Sequence, residues 1–201
     1  MSFFLLIRHG DTDAVGHLMT GHAPGVVLNT KGVEQAATLP ARLAGVPLAA
    51  VYASPLERTM ATAQPLANAR GLDVQIERGL IEVDFGGWTG RRFADLAADP
   101  HWQLYNRVRS ITRPPQGESL LDVQQRAVNA LLEIHRQHPD DVVAVVSHAD
   151  VLRAILLYFL GMPVDAVLRL ELGPGRISVL EIGAGAPRVW QMNGDSAIGA
   201  W

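Results

Sequence analysis

Two arginines and two histidines stand where apolar runs end. Phe3-Phe4-Leu5-Leu6-Ile7 runs into Arg8 and His9, and Val142-Val143-Ala144-Val145-Val146-Ser147 runs into His148. Arg58 follows a third apolar run, Leu48 to Tyr52, after Ala53-Ser54-Pro55-Leu56-Glu57. A carboxylate, Glu82, precedes Val83-Asp84-Phe85-Gly86-Gly87-Trp88. Guanidinium groups grip tetrahedral oxyanions through paired N–H donors. A neutral imidazole, with a reference pKa of ~6.5, carries a free lone pair near pH 7. A carboxylic acid can protonate a departing alkoxide. These are parts suited to phosphoryl transfer, because a phosphate ester carries about two negative charges and repels a nucleophile unless cations offset them. Each part alone also has a plainer role: a solvated helical arginine, a core histidine, a loop carboxylate.

Short continuous apolar runs read as strands buried on both faces of a parallel sheet. In open α/β sheets ligands sit beyond the carboxyl ends of the strands, so such runs deliver Arg8, His9 and His148 to one rim. Gly10 lets the backbone turn sharply and a ligand come close. Thr30 reads as a helix N-cap, with Val33, Ala36, Ala37, Leu39 and Leu43 at helical spacing and Pro40 shortening or kinking the helix. Ser54 reads as a second cap and Pro55 as a first-turn residue, which puts Arg58 in the opening turns of a helix on the rim of His9. Asp73 to Ile76 is a short strand, and the glycines of segment 80–90 make it a loop. Gly117-Glu118-Ser119 opens a long helix to about Gln137, with Glu118 or Ser119 as its start device. Val151 to Leu160 is a helix, and Arg176–Ile182 with Arg188–Met192 is a hairpin. The alternation predicts an α/β fold: a mainly parallel sheet flanked by helices on both faces, in three layers. One domain is expected over residues 1–201, with a small helical cap excursion over 91–115.

Five segments, in order, carry a family resemblance: Arg8-His9-Gly10-Asp11-Thr12; Ser54-Pro55-Leu56-Glu57-Arg58 with Thr62-Ala63; Glu82 with Phe85-Gly86-Gly87-Trp88; Gly117-Glu118-Ser119; and Ser147-His148. Together they resemble the histidine phosphatase superfamily, the phosphoglycerate-mutase-like proteins, over residues 3 to about 160. The resemblance implies that His9 is the nucleophile that accepts a phosphoryl group. Arg8 and Arg58 would hold the phosphoryl oxygens, with Thr12 and Ala149 also at the substrate. His148 would donate to a phosphoryl oxygen as an imidazolium. Glu82, or alternatively Asp84, would be the general acid and then activate water against the phosphohistidine. The cations supply the charge stabilisation, so no metal or other cofactor is implied. The chain departs from the family pattern at Val15, where an asparagine is usual, at Trp88-Thr89-Gly90, and at Ala149-Asp150, which replace two glycines. These departures bear on which ester is used.

A phosphomonoesterase is the first reading. A phosphoglycerate-type phosphomutase using the same intermediate is the second; it must keep water out, and this chain has only the compact 91–115 excursion as a lid. Phe85, Trp88, Trp102 and Tyr105 suggest a partly apolar pocket or simply core. Arg91, Arg92, Arg107, Arg109 and Arg113 could bind a second anion or face solvent. A non-catalytic phosphate-binding protein is the third reading, against which the complete set of rim groups argues. A metallohydrolase is the fourth: Asp11, Asp13, His17 and His22 are metal-ligating types, but their spacing matches no metal motif.

Composition narrows the classes further. With no Cys, disulfides, thiol nucleophiles and iron–sulfur clusters are excluded. The net charge of -3 gives no reason to expect nucleic acid or an anionic membrane. Phe3 to Ile7 is too short for a signal peptide's apolar region and lacks basic residues before it, so a cytoplasmic protein is expected. The expected partner is a small phosphorylated substrate, and the sequence leaves room for a homodimer.

Overall fold

A computed structural model describes residues 1–196; residues 197–201, the end of the expected domain, lie outside the described residues. The sheet has six strands: β1 (Ser2–Arg8), β2 (Leu48–Ala53), β3 (Val74–Ile76), β4 (Val142–Ser147), β5 (Ile177–Ile182) and β6 (Arg188–Gly194), in the order β3-β2-β4-β1-β5-β6. β1, β2, β3 and β4 pair in parallel, and β5 runs antiparallel to both β1 and β6. The sheet is therefore mainly parallel, with the expected hairpin closing one edge.

The strand register brings the rim residues together. Arg8 lies opposite Ser147, so the next residues, His9 and His148, leave the sheet side by side. Ala53 lies opposite Val146, so Ser54 emerges beside Ser147. The alternation along β1 also explains why it is apolar throughout. Phe3, Leu5 and Ile7 pack on one face with Leu39 and Leu43 of the α1 region and Leu66 of α2, helices spanning Thr30–Arg42 and Glu57–Arg70. Phe4 and Leu6 pack on the other face with Leu131 of the long helix Leu120–Gln137 and Leu152 and Ile155 of the last helix. Five fully or nearly fully buried side chains in one strand, each worth ~1.5–3 kcal/mol of transfer free energy, make β1 the spine of the fold.

The segment after β3 holds short elements: 3-10 turns at Arg78–Leu80 and Gly86–Trp88, then α3 (Phe93–Leu96) and α4 (Pro100–Arg107). α5 spans Leu120–Gln137 and α6 spans Ala149–Phe159. Ser119 caps α5, sharing a reciprocal capping box with Asp122. Glu118 does other work there. It accepts from the Asp84 backbone N–H at 3.1 Å and pairs with Arg126 at 2.7 Å, tying the helix start to the Glu82 loop.

Two expected caps differ. Asn29, not Thr30, caps α1: its side chain accepts from Gly32 N–H at 2.9 Å. Ser54 caps nothing, because α2 begins only at Glu57 and its entry is held by the Thr59 hydroxyl, within 2.8 and 2.7 Å of the Ser54 and Leu56 carbonyls. Ser54 is thereby free for a different partner. Pro40 lies near the end of α1, which stops two residues later at Arg42.

Candidate active site

Gly10 is where the first loop must be thin. A Cβ there would lie 2.6 Å from the Gly32 carbonyl oxygen in the first turn of α1, closer than any real contact. The Gly10 N–H donates to Thr62 Oγ1 of α2 at 2.9 Å. The loop is thus pinned between two helices, and His9 with it. The His9 Nδ1 lies 2.7 Å from the Gly10 carbonyl. A carbonyl only accepts, so Nδ1 carries the proton and the Nε2 lone pair is left free. Burial, with the Arg58 and Arg8 charges, pushes the His9 pKa down to about 3. His9 is a neutral, oriented imidazole at any physiological pH.

Around it stand the other residues expected from sequence. Arg58 is 1% exposed and donates through Nη2 to the Gly21 carbonyl at 3.0 Å. Arg8 donates through Nη1 to the Leu172 carbonyl at 2.7 Å. The His148 ring lies 5.3 Å from the His9 ring, centroid to centroid. Arg8 Nε, Arg58 Nη1 and His148 Nδ1 are all buried without a partner among the described residues. An unsatisfied buried donor costs ~1–3 kcal/mol, and more when charged. Three of them beside one free imidazole lone pair describe a receptor for an oxyanion.

His148 is held as a neutral donor. Its pKa is pushed well below the usual histidine range by burial, then by Arg58 and His9. The imidazolium expected from the resemblance is one that faces a bound phosphoryl group, a different state from this one. The Ser54 hydroxyl lies 2.8 Å from His148 Nε2 and has no other partner among the described residues for its hydrogen. It donates to Nε2, which places the ring proton on the unpartnered Nδ1. Glu82 Oε2 is 3.9 Å from that Nδ1. With His148 lowered and Glu82 raised, this contact is neither an ion pair nor a hydrogen bond.

Glu82 itself is fixed through its backbone. Its carbonyl accepts from His22 Nε2 at 2.6 Å and from Arg126 at 3.0 Å, and its carboxylate accepts from Val83 N–H at 3.0 Å. Burial, and then the charge of Asp150, raises its pKa to about 7. Such a group holds a proton near neutrality and can also release it.

A cavity of about 440 Å³ opens on this group and is lined by Arg8, His9, Thr12, Arg58, Glu82 and Ala149, among others. His148 is wholly buried and is not among the residues that line the cavity. Asp84 is turned to its own loop, accepting from Gly86 N–H at 2.9 Å, and does not line the cavity. Phe85 and Trp102 do line it, whereas Trp88 and Tyr105 are core. A larger cavity of about 670 Å³ adjoins it beside Asp13 and His17, but holds none of Arg8, His9, Arg58, Glu82 or His148. Among the described residues no group of three or more His, Asp or Glu side chains is arranged to hold a metal ion. Asp11 pairs with Lys31 at 2.9 Å instead, and His22 with the Glu82 carbonyl.

Sequence reasoning missed Ser54 as a partner of His148, because Ser-Pro ahead of a helical pattern is a strong cap signal. It marked Asp150, two residues past the second histidine, only as a departure from the family pattern, and not its contacts with Arg109 and Arg153.

The chain matches the family model described as "Histidine phosphatase superfamily (branch 1)" over residues 4–195. It is 34% identical over 181 residues to the adenosylcobalamin/alpha-ribazole phosphatase of Escherichia coli K12, covering 88% of each chain. It is 27% identical to a 2,3-bisphosphoglycerate-dependent phosphoglycerate mutase of Thermoplasma acidophilum, over 92% of this chain and 90% of that one. The crystal structure of a putative alpha-ribazole-5'-P phosphatase from Escherichia coli superposes with a TM-score of 0.88 at 30% identity, covering 100% of this chain and 99% of that one. Mycobacterial relatives 36% identical over 197 residues are longer proteins, of which this chain spans 53%. A family match across almost the whole described chain and a sheet of the same build leave one assignment: the chain belongs to the histidine phosphatase superfamily, branch 1.

Proposed function

We propose that the protein is a metal-independent phosphomonoester hydrolase working through a phosphohistidine on His9. The carrying observation is the neutral His9 with its Nε2 lone pair free, between two arginines that keep unpartnered guanidinium nitrogens. His9 Nε2 attacks phosphorus in line as the P–O ester bond breaks. Glu82, protonated near neutrality, gives its proton to the departing oxygen. Water then attacks phosphorus, the Glu82 carboxylate takes its proton, and the P–N bond breaks to return neutral His9 and free phosphate. Arg8, Arg58 and the Nδ1–H of His148 stabilise the charge spread over the phosphoryl oxygens. Thr12 and Ala149 shape the mouth. Residues 91–115 act as the cap, contributing Phe93, Trp102 and Arg109 to the cavity wall.

Glu82 is favoured over Asp84 as the acid because it lines the cavity and its pKa is raised. The mutase relative supports a second reading, phosphoryl return to another hydroxyl of a bound phosphoglycerate.

Rapid quench with a 32P-labelled aryl phosphate tests the proposal. The expected result is acid-labile, base-stable label on the wild-type protein and none on His9→Ala, with turnover down at least about 1000-fold. Wild-type turnover by His9→Ala would overturn it. Incubation with phosphoglycerate separates the second reading: isomer formed without free phosphate would favour the mutase.

A further inference from the structure

A second group of charges lines the same cavity, and its balance bears on the alcohol that the phosphate is attached to. Asp150 stands between two arginines, accepting from Arg109 Nη1 at 2.7 Å and from Arg153 Nη1 at 3.1 Å. Arg153 also lies 3.8 Å from Glu171, whose side chain is 82% exposed at the rim. Arg109 is otherwise held by Asn106 Oδ1 at 3.1 Å and by the Tyr105 ring, 4.4 Å from its centroid. Two cations are thus matched by two carboxylates. The rest of the wall is uncharged and largely apolar, with Val15, Met19, Phe85, Phe93, Trp102 and Leu168 beside the polar Thr12, Thr20 and Asn106.

Such a wall discriminates by charge. A carboxylate on the leaving group finds no guanidinium without a carboxylate partner beyond Arg8 and Arg58, which the phosphate engages; of Arg109 only the buried Nε is unpartnered among the described residues. To reach Arg109 or Arg153 it must displace Asp150 or sit against it, and like charges juxtaposed at a binding surface repel and weaken binding. An uncharged alcohol with an apolar face meets no such penalty and buries against the aromatic wall. Asp150 stands where the motif this chain resembles has glycine. A glycine there would leave both arginines open to an acidic substrate.

We propose that this cavity selects phosphomonoesters of uncharged, partly apolar alcohols, and that Asp150 is the specificity-determining residue that excludes carboxylated ones by occupying Arg109 and Arg153. The inference rests on the hydrolase reading above. The mutase reading, whose substrate carries a carboxylate, runs against it.

The test compares 4-(hydroxymethyl)phenyl phosphate with 4-carboxyphenyl phosphate, two aryl esters of similar size. Wild-type kcat/KM is expected to favour the uncharged ester by at least about tenfold, about 1.4 kcal/mol. Asp150→Asn is expected to reduce that ratio about tenfold by freeing the arginines. Glu171→Gln, an exposed change that spares the fold, is expected to reduce it about threefold by the same logic. A wild-type ratio near one or inverted, or a ratio unmoved in Glu171→Gln and in folded Asp150→Asn, overturns the proposal while leaving the hydrolase standing. Turnover of neither ester overturns the hydrolase reading and this one with it.

Discussion

At the scale of single residues, the site depends on three titratable groups whose charged forms are disfavoured. His9 and His148 are pushed down by burial and by the arginines, and Glu82 is pushed up by burial and Asp150. The consequence for Glu82 has a definite sign. An acid that must be protonated to assist the leaving group is lost as pH rises through its pKa, so kcat/KM for alkyl esters should fall above about pH 7. Glu82→Gln should flatten that limb, and should slow alkyl esters by about 100-fold or more but aryl esters far less, since a phenoxide leaves without a proton. Equal slowing of both classes would assign Glu82 to structure alone. Stability falls over a lower pH range. The folded pKa of about 7 exceeds the unfolded value, so the cost of burying an ionisable Glu82 is absent below the unfolded pKa, grows as pH climbs to about 7, and levels off above it. Chemical denaturation at pH 8 should find Glu82→Gln more stable than wild type by up to about 3 kcal/mol, and no more stable at pH 4.

Ser54 makes a different demand. If its hydroxyl sets the His148 tautomer, Ser54→Ala should leave the chain folded, at a cost of ~1–3 kcal/mol for an unpaired Nε2, and lower kcat about tenfold with KM little changed. Equal kcat in the two proteins would mean that the ring proton sits on Nδ1 without help.

At the scale of elements, what matters is that three parallel strands end level. The pairing of Arg8 with Ser147, and of Ala53 with Val146, sets His9, His148 and Ser54 in a row. The strands themselves were plain in the sequence, because continuous apolar runs have few other uses. So were the hairpin and the long helix closed by its Ser119–Asp122 box. Less legible was anything that depended on which of two partners a polar side chain chooses. Asn29 beside Thr30 offered two caps, and backbone geometry chose the first. Ser54 could cap a helix or meet a histidine, and only the neighbouring strand end, far along the chain, decides between them. Glu118 was readable as a helix-start residue but not as the anchor of the Asp84 backbone, which comes from a separate loop. The proposed catalytic set carried its own chemistry in its residue types, whereas the contacts of Asp150 became legible only once Arg109 folded over it from the 91–115 segment. The element-scale prediction concerns the loop after β1. Gly10→Ala forces a Cβ against the Gly32 carbonyl, so the loop must move off α1 and carry His9 with it. Turnover should fall by about 100-fold or more, since about an ångström of misplacement costs that much, while circular dichroism stays native. Wild-type activity in Gly10→Ala would show that the close approach is not needed.

At the scale of the whole molecule, net charge says little, because the -3 total hides a cavity into which Arg8 and Arg58 both open. The local field is the relevant one, and it couples anion binding to protons. A tetrahedral dianion beside Glu82 disfavours the carboxylate and so raises a pKa that already lies at about 7. Near pH 7 about half of the free protein has Glu82 ionised, so binding should draw in about half a proton per site. Sulfate is a suitable probe, since it is a dianion with the phosphate shape that does not itself titrate near neutrality. Calorimetry of sulfate binding at pH 7 in buffers of different ionisation enthalpy should report that uptake, and at pH 5.5, where Glu82 is already protonated, uptake should fall towards zero. In Glu82→Gln it should vanish while sulfate still binds. In Arg58→Ala the binding itself should weaken by about 100-fold, because a buried charge-assisted donor is lost. Proton release on binding at pH 7, or uptake that survives Glu82→Gln, would place the titrating group elsewhere and remove the basis for Glu82 as the proton donor.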